Sequence, residues 1–170
     1  MPECFLETNL VEVLLEKANS VNHKKGNSNI ASKLNSELLK DSFAVAIIDD
    51  DKRRLKELDN CTKNERLSRK GLKFFKRRES NHYFIQVSPA MERWILNECT
   101  KGGISMTDYN LPDNLDALRG MKGVSQRTDD RFKRLFSDML KNESCDEIIE
   151  LKRWLLFLKE NNYNSDLDLL

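Results

Sequence analysis

The sequence predicts an α/β protein with three layers, in which helices cover both faces of a central, mainly parallel sheet, followed by a helical C-terminal part. Apolar runs at residues 3–7, 43–48 and 83–87 have the length and composition of strands. The run at 43–48 contains only apolar residues, which is typical of a strand that is buried on both faces. Helical material between such strands is typical of the crossover that joins parallel neighbours.

The segments between the predicted strands contain the signals of these crossovers. Asn9 followed by Glu12 resembles a capping box, so we expect a helix to begin there. Apolar residues at every fourth position from 30 to 38 predict a second helix that ends near residue 40. The highly charged segment 52–78 is interpreted as mostly helical.

The remainder of the chain is predicted to be helical. Ser88 and Pro89 have the residue types favoured at the N-cap and the first position of a helix. Gly102 and Gly103 end that helix, and apolar periodicity continues to about residue 160. We therefore expect an α/β core over residues 1–110 and a helical extension over residues 111–170 that packs on it.

Composition narrows the class of protein. The chain has 170 residues, of which 39% are hydrophobic and 34% charged, and its net charge is +1, so it is not a uniformly basic nucleic-acid binder. The four cysteines are widely spread, without the paired spacing of zinc sites or a disulfide framework. Because the first predicted strand begins almost at Met1, we expect no signal peptide, and no apolar run approaches the length of about 20 residues that spans a bilayer. We expect a cytoplasmic protein without a membrane partner.

Acidic residues follow each of the three predicted strands. Glu7 closes the first, Asp49, Asp50 and Asp51 follow the second, and Glu92 comes shortly after the third. Because the carboxyl ends of parallel strands meet at one edge of a sheet, where ligands bind, these carboxylates are expected to converge there. Their repulsion would be relieved by a divalent cation, and carboxylate oxygens are the ligands that Mg²⁺ or Mn²⁺ prefers.

The aspartate run has an internal pattern. In an extended backbone Asp49 and Asp51 project to the same side, while Asp50 points away and should be dispensable. The alternative is that the run lies at a helix N-terminus, where aspartate is common as a cap. Glu92 also has a structural alternative to metal binding. An acidic residue in the first turn of a helix interacts favourably with the helix dipole, and this could be the role of Glu92.

A basic block follows the aspartates. Residues 52–78 contain twelve Lys and Arg against three Asp and Glu. A solvated helix is the ordinary interpretation of such a block, but beside a metal site the block could bind a phosphate backbone without reading the base sequence. The candidates for this role are Lys52, Arg53, Arg54, Arg69, Lys70 and Lys73.

The order of these features resembles the TOPRIM domain. A Glu at the end of a first strand, a crossover helix and an Asp-x-Asp pair at the end of the next strand form its pattern, and Glu7, Asp49 and Asp51 stand at the matching positions. The segment 88–96 is also similar to small TOPRIM-like proteins of bacterial defence and mobile elements, in which a Pro-x-x-Glu-x-Trp pattern opens the helix after the third strand. The resemblance covers residues 3–100 and implies that Glu92 completes or orients the site.

This resemblance implies a function. TOPRIM domains occur in topoisomerases, primases and nucleases of the overcoming-lysogenization-defect family, so the chain is expected to be a Mg²⁺-dependent phosphodiesterase or nuclease acting on nucleic acid, with Glu7, Asp49, Asp51 and Glu92 as its catalytic residues. Phage defence and an ATPase partner are the biological setting that the resemblance suggests. Neither DNA nor RNA is favoured.

A second hypothesis is a TOPRIM-like binding or adaptor module without catalysis. Two glycines of the better-known pattern are absent, since Thr8 follows Glu7 and Lys52 to Arg54 follow the aspartates. The helical C-terminal third could then dock a partner protein. Loss of metal binding and activity on substitution of Asp49 separates the two hypotheses.

Overall fold

The computed structural model of the chain describes residues 1–2, 4–17, 27–50, 55–121 and 128–170. Within these residues the helices and strands are, in chain order, α1 (Phe5–Leu14), α2 (Asn27–Leu34), β1 (Ala44–Asp49), β2 (Cys61–Asn64), β3 (Leu72–Arg77), β4 (His82–Val87), α3 (Met91–Gly102), α4 (Leu115–Gly120), α5 (Asp130–Met139) and α6 (Asp146–Asn161). Short 3-10 turns at Lys56–Asn60, Met106–Tyr109, Asn162–Asn164 and Leu167–Leu169 connect or follow them.

The four strands form one mixed sheet in the order β1-β4-β3-β2. The β1–β4 pair is parallel, with Ala44 opposite His82 and Asp49 opposite Val87. The β4–β3 and β3–β2 pairs are antiparallel. The α/β class is therefore confirmed, whereas the prediction of a mainly parallel sheet is wrong.

Helices cover both faces of the sheet. One face buries Ile47, Phe74 and Ile85 in the larger apolar cluster, which includes residues from α1, α3, α4, α5 and α6. The opposite face buries Ala46 and Phe84 against α2 and the 3-10 turn that precedes β2. Because side chains alternate across a strand, neighbouring residues such as Ala46 and Ile47 enter different clusters. All six residues of β4 are buried.

The predicted strand at residues 3–7 is wrong, because its described part lies in α1. Cys4 is the N-cap, with an extended backbone, and its N–H donates to Glu7 Oε2 over 3.1 Å. Leu6, Leu10 and Leu14 then recur at helical spacing and are buried. Asn9, predicted as an N-cap, lies inside the helix instead. The apolar run at the start of the chain was therefore the first part of a helical stripe.

The edge of the sheet beside β1 is nevertheless contacted by the first residue. The Met1 nitrogen donates to the Val45 carbonyl oxygen, and the Met1 carbonyl oxygen accepts from the Ile47 N–H at 3.1 Å. One residue that bonds in this way to two positions of its neighbour shows the pattern of parallel pairing. Met1 thus extends the sheet on the side of β1 away from β4.

The helix predicted over residues 52–78 is also wrong in its described part, 55–78. A 3-10 turn and the antiparallel pair β2–β3 occupy it. Leu72 and Phe74 are buried, whereas Lys73 and Phe75 on the other side of the strand are partly exposed. This alternation is typical of a strand, but the density of charged residues obscured it.

The helical prediction for the last third is confirmed in its described residues, 114–121 and 128–170. The apolar stripe of α5 is buried, and so are Ile148, Leu151, Leu155 and Leu158 of α6. Gly103 ends α3 in the left-handed conformation, with φ of 61°, as the glycine pair predicted. The other end of α3 differs from the prediction: Ala90 is its N-cap, and Ser88 and Pro89 precede the helix, joined by a cis peptide bond.

Candidate functional site at the carboxyl edge of β1 and β4

Asp49 lies at the end of β1, where the parallel strand β4 also ends. Its Oδ1 accepts a hydrogen bond of 2.9 Å from the Met91 N–H, the first residue of α3. A carboxylate at a helix N-terminus is stabilised by the exposed main-chain N–H groups there. The structure thus places Asp49 at the predicted edge and directs it toward α3.

Asp50 occupies the same edge but faces β3. Lys73 Nζ of β3 lies 2.5 Å from Asp50 Oδ2, and Ser88 Oγ donates to the same oxygen over 2.9 Å. Burial alone would raise the pKa of Asp50, but the hydrogen bonds from Lys73 and Ser88 and the charge of Lys73 hold it below its ordinary value. Asp50, expected to point away and to be dispensable, therefore has defined partners at this edge.

Glu92 lies in the first turn of α3, directly after Met91, and its side chain is buried. The sequence placed it at the rim of the acidic edge, and its neighbour Met91 does contact Asp49. Burial in a first helical turn is also what the capping alternative expects, since the helix dipole stabilises a carboxylate there. Both interpretations of Glu92 are compatible with this placement.

Glu7 is buried in the first turn of α1 rather than at a strand end. Its hydrogen bond from the Cys4 N–H is part of a capping box. This bond pairs one of the main-chain N–H groups that have no partner within the helix at its N-terminus. Glu7 thus has a structural role that does not depend on any ligand. Its predicted role as a metal ligand stays a prediction.

The metal prediction depends on Asp51, which lies outside the described residues. Within the described ranges, no three His, Cys, Asp or Glu side chains stand close enough together to hold a metal ion. The donor chemistry nevertheless suits a hard cation, because Asp49 and Asp51 would both offer carboxylate oxygens. A site for Mg²⁺ here therefore requires Asp51 beside Asp49.

The predicted nucleic-acid contacts do not form one group. Lys52, Arg53 and Arg54 lie outside the described residues. The Arg69 guanidinium donates to the carbonyl oxygens of residues 66–68, and it pairs with Glu150 Oε1 at 3.5 Å. Lys73 is paired with Asp50, whereas Lys70 is exposed.

A second acidic group, which sequence reasoning missed, supports this edge from α6. Glu147 Oε1 accepts the Gly71 N–H at 2.9 Å, and Glu147 Oε2 accepts the Trp94 indole N–H at 2.7 Å. The Gly71 carbonyl oxygen in turn accepts the Ser88 N–H at 2.9 Å. Glu147 is therefore connected through Gly71 to Ser88, the residue that contacts Asp50. The Pro-x-x-Glu-x-Trp pattern, which contains Trp94, was the only local signal near this group.

Glu98 of α3 completes the buried group. Its Oε2 accepts the N–H groups of Glu147 and Ile148 at 3.0 and 3.3 Å, and its Oε1 lies 2.6 Å from Lys101 Nζ. Burial raises the pKa of Glu98 above its ordinary value, although the bond and charge of Lys101 act in the opposite direction. Glu98 thus caps the start of α6 and holds it against α3.

Comparison of the chain with protein-family models, with curated proteins and with solved structures found no match. The resemblance to TOPRIM domains therefore rests on Asp49, Asp51 and the segment 88–96, because Glu7 lies in a helix and not at a strand end. Among the described residues, the helices are all too short or too polar to cross a lipid bilayer.

Proposed function

We propose that the chain is a TOPRIM-like phosphodiesterase or nuclease that acts on nucleic acid with Mg²⁺ or Mn²⁺ at the carboxyl edge of β1 and β4. The observation that supports this proposal is the placement of Asp49 and Asp50 at that edge, between the N-terminus of α3 and the cation of Lys73. Ligands of α/β proteins bind outside the carboxyl ends of parallel strands, and phosphoryl transfer requires both anionic metal ligands and nearby cations.

Each residue has a distinct part in this proposal. Glu7, Asp49 and Asp51 hold the cation, and Glu92 completes or orients the site. A bound Mg²⁺ would activate water and offset the negative charge that develops at the phosphorus. Asp50, which accepts a hydrogen bond from Ser88 Oγ, holds the Lys73 ammonium group at the edge, where it can attract the phosphate backbone. The proposal also includes phage defence as the setting and an ATPase as a partner protein.

Calorimetric titration of Mg²⁺ and Mn²⁺ tests the site. We expect wild type to bind the cation, and Asp49→Asn and Asp51→Asn to lose most of that affinity, because each removes one charged ligand. Asp113→Asn is the matched control, since Asp113 is an exposed aspartate after Leu111 and Pro112. Equal affinities in all four proteins would overturn the metal site.

Cleavage assays test the reaction itself. Labelled single-stranded and double-stranded DNA and RNA are incubated with each protein in Mn²⁺, with and without a chelator. We expect cleavage by wild type and Asp113→Asn only, and its loss when the cation is removed. Cleavage that is unchanged in Asp49→Asn would exclude this edge as the active site.

A second candidate is the adaptor module, and one observation favours it. Asp50 is neutralised by Lys73, and Glu7 caps α1, so the protein itself stabilises both carboxylates and neither needs a metal ion. An adaptor would bind its partner protein equally well as wild type and as Asp49→Asn, with no metal affinity in either. Metal binding by wild type that Asp49→Asn loses would exclude it.

A further inference from the structure

A pocket of about 420 Å³ lies beside the acidic edge. It is bounded by Gly71 before β3, by Ser88 and Pro89 after β4, by α3 and by Glu147 of α6. This volume falls within the range of about 300–1,000 Å³ that is usual for pockets of small organic ligands. The pocket is therefore large enough for a single nucleotide but not for a base pair with its backbone.

The floor of the pocket is acidic and held in place. The Glu147 carboxylate accepts one protein hydrogen bond on each oxygen, and its side chain is 8% exposed. A carboxylate oxygen has two acceptor positions, so each can take a further donor. The amino and imino groups of a nucleobase are donors of this kind.

Gly71 has no side chain, which allows the Glu147 carboxylate to lie against the main chain at this position. A Cβ atom added at Gly71 would lie 2.0 Å from Glu147 Oε2 and 2.7 Å from Trp94 Cδ1. Any side chain at this position would therefore displace the carboxylate. The floor is thus a built feature of the pocket, since three separate segments of the chain meet there.

The rim of the pocket carries cations and polar groups. Lys70 and Asn97 are exposed, and among the described residues their side chains have no hydrogen-bond or ion-pair partner. Lys101 is 43% exposed, although it pairs with Glu98 and Asp146 and lies 3.9 Å from Glu147 Oε1. A phosphate group is the anion that lysine ammonium and amide N–H donors at such a rim would bind.

The pocket is connected to the proposed reaction site through Ser88. Ser88 lines the pocket, and its Oγ donates to Asp50 Oδ2 at 2.9 Å. A strand whose phosphodiester lies at the acidic edge would therefore bring an adjacent nucleotide to the mouth of the pocket. Only an unpaired nucleotide can enter, because a paired base is held within the stack.

We propose that this pocket binds one unpaired nucleotide of the substrate strand, with its phosphate at Lys70 and Lys101 and its base against Glu147. This inference rests on the proposed function and makes it more specific, because it assigns single-stranded nucleic acid as the substrate class. The base is recognised through its donor edge, and the phosphate is held without regard to sequence.

Nucleotide binding without metal tests the pocket directly. Binding of 5′-mononucleotides, the corresponding nucleosides and inorganic phosphate is measured in a chelator by titration, and the indole N–H resonance of Trp94 is followed by NMR. We expect a mononucleotide to bind most tightly and to shift the Trp94 resonance. Equal affinity for nucleotide and nucleoside, or for nucleotide and phosphate, would overturn the proposal, and so would an unchanged Trp94 resonance.

Two variants locate the binding. Lys70→Ala should weaken mononucleotide binding about tenfold, the effect of losing one charge-assisted hydrogen bond. Lys141→Ala is the control, because Lys141 is an exposed lysine after α5 that does not line the pocket. Equal weakening by both variants, or by neither, would remove the phosphate from Lys70 and overturn the assignment.

Competition between oligonucleotides tests the substrate class. A single-stranded oligonucleotide should displace the mononucleotide, and a blunt duplex of the same sequence should not. Equal displacement by both would overturn the single-strand assignment. The metal titration is independent of this result. Nucleotide binding without metal binding would overturn the proposed metal-dependent reaction but not the nucleotide pocket. Metal binding without nucleotide binding would overturn the pocket but not the metal site.

Discussion

The structure contains two groups of acidic side chains that differ in their surroundings. Asp50, at the carboxyl edge of β1 and β4, is about one-third exposed and bonds to two flexible side chains, Lys73 and Ser88. Glu98 and Glu147, between α3 and α6, are buried and bond mainly to main-chain N–H groups and to an indole N–H. Lys101 is the lysine that pairs with this buried group.

The difference indicates different roles. A buried carboxylate depends on the hydrogen bonds that the protein supplies, and removing one of these partners is costly. A carboxylate at an exposed edge can exchange its lysine partner for water, a cation or a substrate group at small cost. We therefore expect substitutions in the buried group to have the largest effect on stability and substitutions at the edge to have the largest effect on metal binding.

The largest effect on stability is expected for Glu147→Ala. The change leaves the N–H groups of Gly71 and Trp94 without their acceptor, and each buried donor left unsatisfied costs about 1–3 kcal/mol. Urea denaturation measures the free energy of unfolding of the wild type and of each variant. Glu143→Ala, at an exposed position three residues before α6, should change it by less than about 0.5 kcal/mol. Similar losses for both variants would show that the buried group is not structural.

Gly71→Ala should be the next most destabilising change. The new methyl group would overlap the Glu147 carboxylate, and overpacking of this kind costs about 1–3 kcal/mol. Gly120→Ala is the matched control, because a Cβ atom there meets no atom within 4 Å. Thermal unfolding of both variants checks the result, and a neutral Gly71→Ala would contradict the close seating of Glu147.

A smaller, pH-dependent effect is expected for Glu98→Gln. Because the pKa of Glu98 is raised in the folded state, the folded protein binds its proton more tightly than the unfolded chain does. The wild type should therefore lose stability relative to Glu98→Gln as the pH rises above the ordinary glutamate value of 4.5. The glutamine oxygen can still accept the N–H groups of α6. Urea unfolding from pH 4 upward measures the difference, and parallel curves would refute it.

The smallest effect on stability is expected for Asp50→Asn. Its ion pair with Lys73 is partly exposed on both sides, and such pairs contribute about 0–1 kcal/mol. Because the folded pKa is lowered, this contribution is present at neutral pH and is lost as the pH falls below 3.8 through the folded value. Denaturation at pH 7 and at acid pH checks both statements. A loss of unfolding free energy as large as that of Glu147→Ala would contradict the claim that the buried acidic group stabilises the fold more than the edge group does.

Parts of this structure follow from local sequence patterns. The apolar run before Asp49 and the run at 83–87 form the parallel pair β1–β4, and Asp49 stands at the end of β1. The amphipathic spacing of α5 and α6 and the glycine that ends α3 were equally readable. These features are local, because the period of the apolar residues and the cap determine the element.

Other parts were decided only by the tertiary structure. Segment 55–78 became a hairpin because β4 offers an open edge and a buried face to Leu72 and Phe74, whereas its charge density favoured a solvated helix. Glu7 entered a helix because the Leu6–Leu14 stripe finds a core to cover. The bond from Gly71 to Glu147 joins residues 76 positions apart, and no local pattern encodes such a contact. Periodicity determines which element a segment can form, but the partner that buries it determines which element it does form.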